Sequence, residues 1–301
     1  MKFANVSIKQ SSKVEFLAIV NTTDNSIVKV KDVYEVLGID CPKDMIALIE
    51  GFNDSLLHSI TEVLKTSLPS IPLDEVQILS PISYPRRNVF CLGKNYVDHA
   101  NEIKSIPGGG NSLPENPIYF TKLAYPTMGP EDTLFHHKDL TNELDYEVEL
   151  AIIIKKKGKN ISKNEAQDYI FGYTIGNDIS IRNIQLKHIQ WFKGKSLDTC
   201  CPIGPYIVTQ DELSFPPNLD ISCKINGELR QNSNTSKLIF DIPTILQDLS
   251  QGLTLYPGDI IFTGTPSGVG FGFKPPKTLN PGDVIECEIE NLGVLRNYVE
   301  K

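Results

Sequence analysis

The chain lacks the surplus of basic residues that is typical of nucleic-acid-binding proteins. Its 301 residues include 29 Lys and Arg against 37 Asp and Glu, which gives a formal charge of −8. Phosphate backbones and anionic membrane surfaces attract clustered positive charge. We therefore expect no nucleic acid and no membrane among the partners, and a small molecule instead.

Long apolar runs are also missing. No stretch approaches the roughly 18 apolar residues that would span a bilayer, and the N-terminal sequence MKFANVSIKQ has no signal-peptide core. These absences predict a cytoplasmic protein. Its hydrophobic content of 40% is nevertheless sufficient for a well-buried core.

Cysteine is scarce, and no two cysteines form a C-x-x-C pair. The six are Cys41, Cys91, Cys200, Cys201, Cys223 and Cys287. This pattern predicts reduced, mostly buried thiols and disfavours both a disulfide framework and a zinc site made of thiolates.

Apolar periodicity and turn residues divide the chain into two parts. Residues 1–73 contain the strand-like VEFLAIV and helical spacing of apolar residues over 42–64, which predicts a small N-terminal α/β domain. Four prolines within residues 67–85 disfavour a helix or a central strand and predict a linker at 74–86. Residues 87–301 are rich in strand patterns, so the predicted fold class is α+β, mostly β. Three short helical patterns interrupt the strands, at residues 96–104, 163–169 and 242–250.

The segment LDYEVELAIII, residues 144–154, predicts a strand with three carboxylates on one face, namely Asp145, Glu147 and Glu149. Stacked like charges predict a positive group over Glu147 and Glu149. An exposed acidic face in an acidic protein is the alternative. Asp178, in GYTIGNDISIRNIQ, would complete an oxygen-only ligand set that favours Mg²⁺ or Mn²⁺, although Asp after Asn is also ordinary turn chemistry.

A histidine and a glutamate form a candidate acid–base pair in CLGKNYVDHANEI. His99 and Glu102 are three residues apart on a predicted short helix, where a carboxylate can orient an imidazole and raise its basicity. A surface pair is the alternative. The following loop KSIPGGGNSLPEN is rich in glycine and is typical either of a lid hinge or of an idle surface loop.

Several polar residues are candidates for substrate contacts. Three carboxylates around a divalent ion leave the site with one excess negative charge, which would repel an anionic substrate. Lys195, Arg182 and Lys122 could offset this charge, although each could instead be an ordinary solvent-exposed surface residue. Gln185 follows Arg182 by three residues and would share its helix face. Thr265, in the glycine-rich FTGTPSGVGFG, could donate to a carboxylate, and a tight structural turn explains the segment equally well.

Eight motifs, taken in order along the chain, resemble those of the fumarylacetoacetate hydrolase family. They are LGKNYVDHANE, PIYFTK, LDYEVELAIII, GYTIGNDISIRNIQ, GKSLDTCCPIGPY, NGELRQNSNTSKLIF, GLTLYPGDIIFTGTPSGVG and PGDVIECEIENLG. The resemblance covers about residues 87–298. It implies a mixed β-roll catalytic domain, a homodimer, and Mg²⁺ or Mn²⁺ bound by Glu147, Glu149 and Asp178, with Asp145 outside the ligand set.

The same resemblance implies roles for the remaining candidates. If the chain follows the family pattern, the catalytic residues are His99, Glu102 and Lys195, and Lys195 also binds substrate. The substrate-lining residues would be Arg182, Gln185, Lys122 and Thr265.

The resemblance further implies metal-dependent cleavage of a C–C bond in a small 2-oxo or β-diketo acid. Family members are described as acylpyruvate hydrolases, oxaloacetate decarboxylases or 2-hydroxyhepta-2,4-diene-1,7-dioate isomerases. We expect acylpyruvate hydrolysis or oxaloacetate decarboxylation through an enolate, with isomerisation or tautomerisation as the alternative. A non-catalytic metabolite-binding or scaffold protein is the rival from another class, and the His99–Glu102 pair favours an enzyme because a sensor needs no general base.

Overall fold

A computed structural model describes residues 1–9, 14–102 and 113–301. Most of the predicted lid-hinge loop and the last two residues of the helical pattern at 96–104 lie outside these ranges. None of the helices within them combines the length and apolarity needed to cross a bilayer.

The N-terminal region contains five strands and three helices. They are β1 (Lys2–Ile8), β2 (Glu15–Asn21), β3 (Ser26–Lys29), α1 (Val30–Leu37), α2 (Met45–Gly51), α3 (Asp54–Leu64), β4 (Ser70–Pro72) and β5 (Val76–Leu79).

The rest of the chain is mostly β, as predicted. Its strands are β6 (Val89–Gly93), β7 (Ile118–Lys122), β8 (Thr133–Leu134), β9 (Leu144–Asp145), β10 (Val148–Ile154), β11 (Ile170–Asn177), β12 (Ser180–Ile181), β13 (Ile203–Thr209), β14 (Asp220–Ile225), β15 (Glu228–Asn234), β16 (Ile260–Phe262), β17 (Val284–Ile289) and β18 (Gly293–Val299). Its α-helices among the described residues are α4 (Val97–Glu102), α5 (Arg182–Lys187), α6 (Phe192–Lys195) and α7 (Ile242–Ser250), and the helical pattern predicted at 163–169 forms a 3-10 helix, Lys163–Tyr169.

Two sheets enclose the main core. The larger runs in the order β4-β3-β2-β1-β13-β11-β10-β16-β6-β7, with β5 paired to β1 outside that path, and the smaller runs β15-β14-β17-β18-β8. Pairing is mixed, since β16 and β6 are parallel whereas β10 and β11 are antiparallel. One face of β10 packs toward the second sheet through residues such as Val148 and Leu150. The other face packs toward the N-terminal helices through Ala151 and Ile153.

The helical pattern at residues 42–64 forms two helices instead of one. Asp44 caps α2 by accepting a hydrogen bond from Ala47 N at 2.7 Å, and Asn53 caps α3 by accepting from Leu56 N at 3.0 Å. The side chain of Asn53 competes with the helical backbone for hydrogen bonds and so starts a new helix at this point.

Residues 74–86, predicted as a linker, contain the strand β5, which pairs with β1 from Asn5↔Leu79 to Ile8↔Val76. Among the described residues, β4 pairs only with β3 and β5 only with β1, in keeping with the prolines beside them. The boundary between an N-terminal domain at 1–73 and a catalytic domain at 87–301 stays a prediction, but one sheet joins the two regions through β1 and β13.

The acidic segment at 144–154 is interrupted, contrary to the single strand that alternation predicted. β9 ends at Asp145 and β10 begins at Val148, so Tyr146 and Glu147 lie outside both strands. The break occurs where Asp145 bonds its own neighbour, because Tyr146 N donates to Asp145 Oδ1 at 3.0 Å. Asp145 therefore does not share one continuous strand face with Glu147 and Glu149, as the sequence pattern had predicted.

Candidate active site

Strand pairing brings the three predicted metal ligands together. Val148 of β10 lies opposite Asn177 at the end of β11, so the residues flanking this pair, Glu147, Glu149 and Asp178, converge. Each offers a carboxylate oxygen within 4.8 Å of the others. Two backbone contacts fix the approach: Asp178 N donates to Glu147 O at 2.9 Å, and Glu147 N donates to Asn177 Oδ1 at 3.0 Å.

These carboxylates are buried, and the electrostatics of the cluster suit a cation. Burial raises the pKa of Glu149 well above its ordinary value, and the nearby charges of Asp178 and Glu147 raise it further. Burial also opposes ionisation of Glu147, but Lys195 and Arg182 outweigh that effect and hold its pKa below the usual range. An oxygen-only set with unrelieved repulsion at Glu149 fits a hard divalent ion such as Mg²⁺ or Mn²⁺.

Two of the predicted substrate cations are tied to this cluster. Lys195 Nζ lies 2.8 Å from Glu147 Oε2 and 2.6 Å from Asp178 Oδ2. Burial lowers the pKa of Lys195, but Asp178 and Glu147 more than offset this and raise it overall. Arg182 Nη1 lies 2.7 Å from Glu147 Oε1, and Arg182 Nη1 also donates to Gln185 Oε1 at 3.0 Å. Gln185 shares the α5 face with Arg182, as their spacing predicted.

Lys122 is placed differently from a substrate contact. Its ammonium is fully buried, lies 2.8 Å from Asp178 Oδ1, and donates to the backbone oxygens of Ile179, at 2.8 Å, and of Lys195. Burial would lower the pKa of Lys122, yet Asp178 raises it above the ordinary value. These contacts suit a residue that fixes the position of the Asp178 carboxylate and does not itself bind substrate.

His99 and Glu102 form a hydrogen-bonded pair on α4. His99 Nδ1 lies 3.1 Å from Glu102 Oε2. An ionised carboxylate can only accept, so Nδ1 carries the hydrogen and Nε2 is the nitrogen available to the cleft. The second carboxylate oxygen of Glu102 accepts from Gly268 N at 2.9 Å, which fixes the pair against the glycine-rich loop.

One small cleft, about 60 Å³ in volume, is lined by His99, by two of the three clustered carboxylates and by two of the cations. Its lining residues are Leu92, Gly93, Lys94, His99, Phe120, Glu147, Glu149, Arg182, Gln185, Trp191, Lys195 and Thr265. Thr265 lines the cleft as predicted, but its hydroxyl donates to Val148 O at 3.0 Å and accepts from Gln231 Nε2 at 2.7 Å. That hydrogen is therefore directed to the backbone, not toward a substrate carboxylate.

Three features of the site were not predicted from sequence. Asp145 binds Arg182, with its Oδ2 atom 2.9 Å from Nε and 2.8 Å from Nη2. The loop at residues 264–272 donates backbone N–H groups to Glu149, Glu102 and Asp145. Lys94 also lines the cleft. The glycines of FTGTPSGVGFG indicated the loop in the sequence. The pairing of Asp145 with Arg182 joins residues 37 positions apart, so no local sequence pattern could indicate it.

Comparison with known proteins identifies the family of this chain. Residues 88–300 match the family model described as the C-terminal region of fumarylacetoacetate (FAA) hydrolase. The chain belongs to the fumarylacetoacetate hydrolase family. A curated family relative, the oxaloacetate tautomerase YisK of Bacillus subtilis (strain 168), is 48% identical over 227 residues, which are 75% of this chain and 74% of that protein.

Two solved structures show the same family fold. Fumarylacetoacetate hydrolase from Exiguobacterium antarcticum is 38% identical, with a TM-score of 0.82 over 100% of this chain and 99% of that one. Maleylpyruvate hydrolase from Sphingobium sp. SYK-6, in complex with manganese(II) and pyruvate, is 30% identical with a TM-score of 0.77 over 100% and 99%. The predictions of the family, the fold class and an enzymatic activity are thereby confirmed.

Proposed function

We propose that this protein is a divalent-metal-dependent enzyme of small 2-oxo acids and that its principal reaction is the interconversion of the keto and enol forms of oxaloacetate. One observation carries the proposal: Glu147 and Glu149, which cluster with Asp178, line the same small cleft as His99, which is hydrogen-bonded to Glu102. A cation site beside an oriented imidazole is the combination that enolisation of a 2-oxo acid requires.

Each group has a distinct task in this reaction. Mg²⁺ or Mn²⁺ bound by the three carboxylates would act as a Lewis acid toward the oxygens of a 2-oxo acid. Lys195 and Arg182 offset the negative charge of the carboxylates and attract an anionic substrate. In the keto-to-enol direction His99, held by Glu102, takes a proton from the carbon next to the carbonyl, and a proton is delivered to the carbonyl oxygen; the enol-to-keto direction reverses both transfers, so that only a proton changes place.

Tautomerisation is favoured over C–C bond cleavage because the tautomerase YisK is 48% identical over 227 residues, whereas the fumarylacetoacetate hydrolase and the maleylpyruvate hydrolase are 38% and 30% identical over the whole chain. Cleavage of an acylpyruvate, or decarboxylation of oxaloacetate, is the second candidate. The same set of residues supports it, provided that His99 also activates water for hydrolysis.

The test is to purify the protein with Mg²⁺ or Mn²⁺ and compare three reactions. The first is the approach of oxaloacetate to its keto–enol equilibrium, which is monitored by the absorbance of the enol. The second is the release of CO₂ from oxaloacetate, and the third is the hydrolysis of acetylpyruvate or fumarylpyruvate. We expect tautomerisation to be fastest and to fall by about 10²-fold or more in His99→Ala, the usual scale for loss of a positioned base. Lys163→Met, an exposed change outside the cleft, serves as the control. Faster hydrolysis or CO₂ release would favour the second candidate, and no turnover of any of these acids would favour a binding protein.

Three further predictions accompany this function. The choice between Mg²⁺ and Mn²⁺ is tested by metal titration of activity, and a cytoplasmic location by localisation of a tagged chain. A homodimer is supported by the exposed apolar side chains Leu123, Tyr125 and Phe135, and light scattering of the purified protein checks it.

A further inference from the structure

Val148, the residue between two of the candidate metal ligands, lies where strand pairing on one side of β10 has stopped. β16 pairs with β10 over residues 151–153, and Val148 lies outside this ladder. Side chains bind its backbone there instead. Val148 N donates to Gln231 Oε1 at 3.0 Å, and Val148 O accepts from Thr265 Oγ1 at 3.0 Å. The placement of the two carboxylates on either side of Val148 therefore depends on these two side chains.

A closed ring of hydrogen bonds joins Gln231, Thr265 and Val148. Gln231 Nε2 donates to Thr265 Oγ1 at 2.7 Å, the Thr265 hydroxyl donates to Val148 O, and Val148 N donates back to Gln231 Oε1. Gln231 Nε2 also donates to Pro266 O at 2.8 Å. These partners fix the orientation of the amide, because a backbone N–H can only donate and a carbonyl oxygen can only accept. A carboxylate at this position could replace the acceptor of Gln231 but not its donor.

The backbone of β15 directs Gln231 to this point. Gln231 is fully buried and pairs with Cys223 of β14. The next pair joins Lys224 to Leu229, which leaves Arg230 as an extra residue in β15. Such a bulge re-aims a side chain and is frequent beside active sites. The side chain of Gln231 thus reaches from the smaller sheet to β10 in the larger one.

Through the loop at residues 264–272, Gln231 is connected to both halves of the site. Its amide binds this loop at the two positions that follow Gly264. Backbone N–H groups of the same loop donate to the candidate metal ligand Glu149, at 2.6 Å, and to the base partner Glu102, at 2.9 Å. One buried amide therefore contacts both the strand that carries the candidate ligands and the loop that holds the base partner.

We propose that Gln231 is a positioning residue of the active site, which fixes the strand of Glu147 and Glu149 relative to the 264–272 loop. Gln231 is not among the described residues that line the cleft, so it acts through the groups that it holds. Groups that orient metal ligands from outside affect metal affinity or activity by about 10-fold to 100-fold. The catalytic part of this role rests on the proposed function, whereas the effect on metal affinity does not.

The experiment compares Gln231→Met with the wild type and with Asn297→Leu, a matched control from the same sheet. Asn297 is also buried, and its amide donates to the backbone oxygens of Gly129, at 2.9 Å, and Asp132, at 3.1 Å. Each change removes a buried amide and leaves backbone groups unpaired, so both should lower the melting temperature. The readouts are Mn²⁺ affinity by calorimetry, and kcat and KM for oxaloacetate at saturating Mn²⁺, with circular dichroism to verify folding.

We expect Gln231→Met to weaken Mn²⁺ binding by about 10-fold and to lower kcat by about 10-fold or more, with a smaller change in KM. Asn297→Leu should leave all three near their wild-type values. Unchanged Mn²⁺ affinity in Gln231→Met, or an equal loss in Asn297→Leu, would overturn the assignment, because a merely structural role predicts no selective effect on the site. Absence of turnover in the wild type would refute the proposed function, while the Mn²⁺ affinities would still decide the role of Gln231.

Two changes at Thr265 test the ring even if Gln231→Met does not fold. Thr265→Val opens the ring, whereas Thr265→Ser keeps the hydroxyl. We expect Mn²⁺ affinity to fall by about 10-fold in the valine variant and to stay near the wild-type value in the serine variant. Adding Gln231→Met to Thr265→Val should cause no further fall, because the ring is already open. Additive losses, or equal affinities of the valine and serine variants, would contradict the proposal.

Discussion

Glu149 is the candidate metal ligand whose negative charge the protein compensates least. Among the described residues, Glu147 and Asp178 take part in ion pairs with Lys195, whereas Glu149 accepts a backbone hydrogen bond from Gly264 N at 2.6 Å. Repulsion within the cluster and burial both raise its pKa. A cation relieves that repulsion, so Glu149 should contribute strongly to metal affinity and little to the stability of the metal-free fold.

Replacement of Glu149 by Gln separates these two effects, because the amide keeps the volume and can still accept from Gly264 N. We expect Mn²⁺ affinity, measured by calorimetry, to fall by at least about 10-fold, the lower end of the range for changes at a metal site. The melting temperature of the metal-free protein should stay the same or rise, since a buried repulsive charge has been removed. The exposed change Glu75→Gln is the control, and unchanged Mn²⁺ binding in Glu149→Gln would rule out the ligand set.

The convergence of the candidate ligands Glu147 and Glu149 could be predicted from sequence, because strand alternation puts residues two positions apart on one face. The family motifs extended that prediction to Asp178. The pairing of Asp145 with Arg182 could not be predicted in this way, because it depends on β9 lying beside β12, with Asp145 opposite Ser180. The sequence indicated that Lys122 and Thr265 lie near the site. It could not indicate which groups their polar atoms contact, because the packing of the folded chain determines those contacts.

At the scale of elements, the loop at residues 264–272 organises both halves of the site. Its N–H groups bind the metal-ligand candidate Glu149, the base partner Glu102 and, through Gly270 N at 2.7 Å, Asp145, which holds Arg182. Gly268 has a φ of +100°, and a Cβ there would lie 2.0 Å from Arg230 O. The loop can approach these carboxylates because it carries no side chain at such points.

The change Gly268→Ala tests this coupling, with Gly227→Ala as a matched control. Gly227 has a φ of +80°, and no atom lies within 4 Å of the place that a Cβ would take, so alanine there adds backbone strain without a clash. We expect Gly227→Ala to lower the free energy of unfolding by about 1–2 kcal/mol, the cost of a left-handed non-glycine residue, and to leave activity intact. Gly268→Ala should lower stability further and reduce kcat by about 10-fold or more, because the Glu102 contact is displaced. Equal effects of the two changes would show that the loop does not position the pair.

At the scale of the whole molecule, the N-terminal region and the catalytic region share one core. β1 pairs with β13 at Phe3↔Ile207. The ring of Phe171, from β11, stacks on Phe3 with centroids 6.1 Å apart and meets Phe52 edge-on at 5.1 Å. The boundary near residue 74 that proline content indicates stays a prediction, and the pairing of β1 with a strand some 200 residues later is not encoded in local composition.

This shared core predicts a single cooperative unfolding transition for the metal-free chain. Phe3→Ala and Phe171→Ala lie on opposite sides of the contact between the two regions, and each should lower the free energy of unfolding by about 3–5 kcal/mol, the usual cost of removing a buried phenylalanine. Val36→Ala, at a position 58% exposed, should change it by no more than about 0.5 kcal/mol. Denaturant titrations followed by both circular dichroism and the fluorescence of Trp191 should give coincident curves, because Trp191 reports on the catalytic cleft whereas circular dichroism reports on the secondary structure of both regions. If Phe3→Ala produced two separate transitions, with the Trp191 signal unshifted, the N-terminal region would be an independent domain and the shared core would not be cooperative.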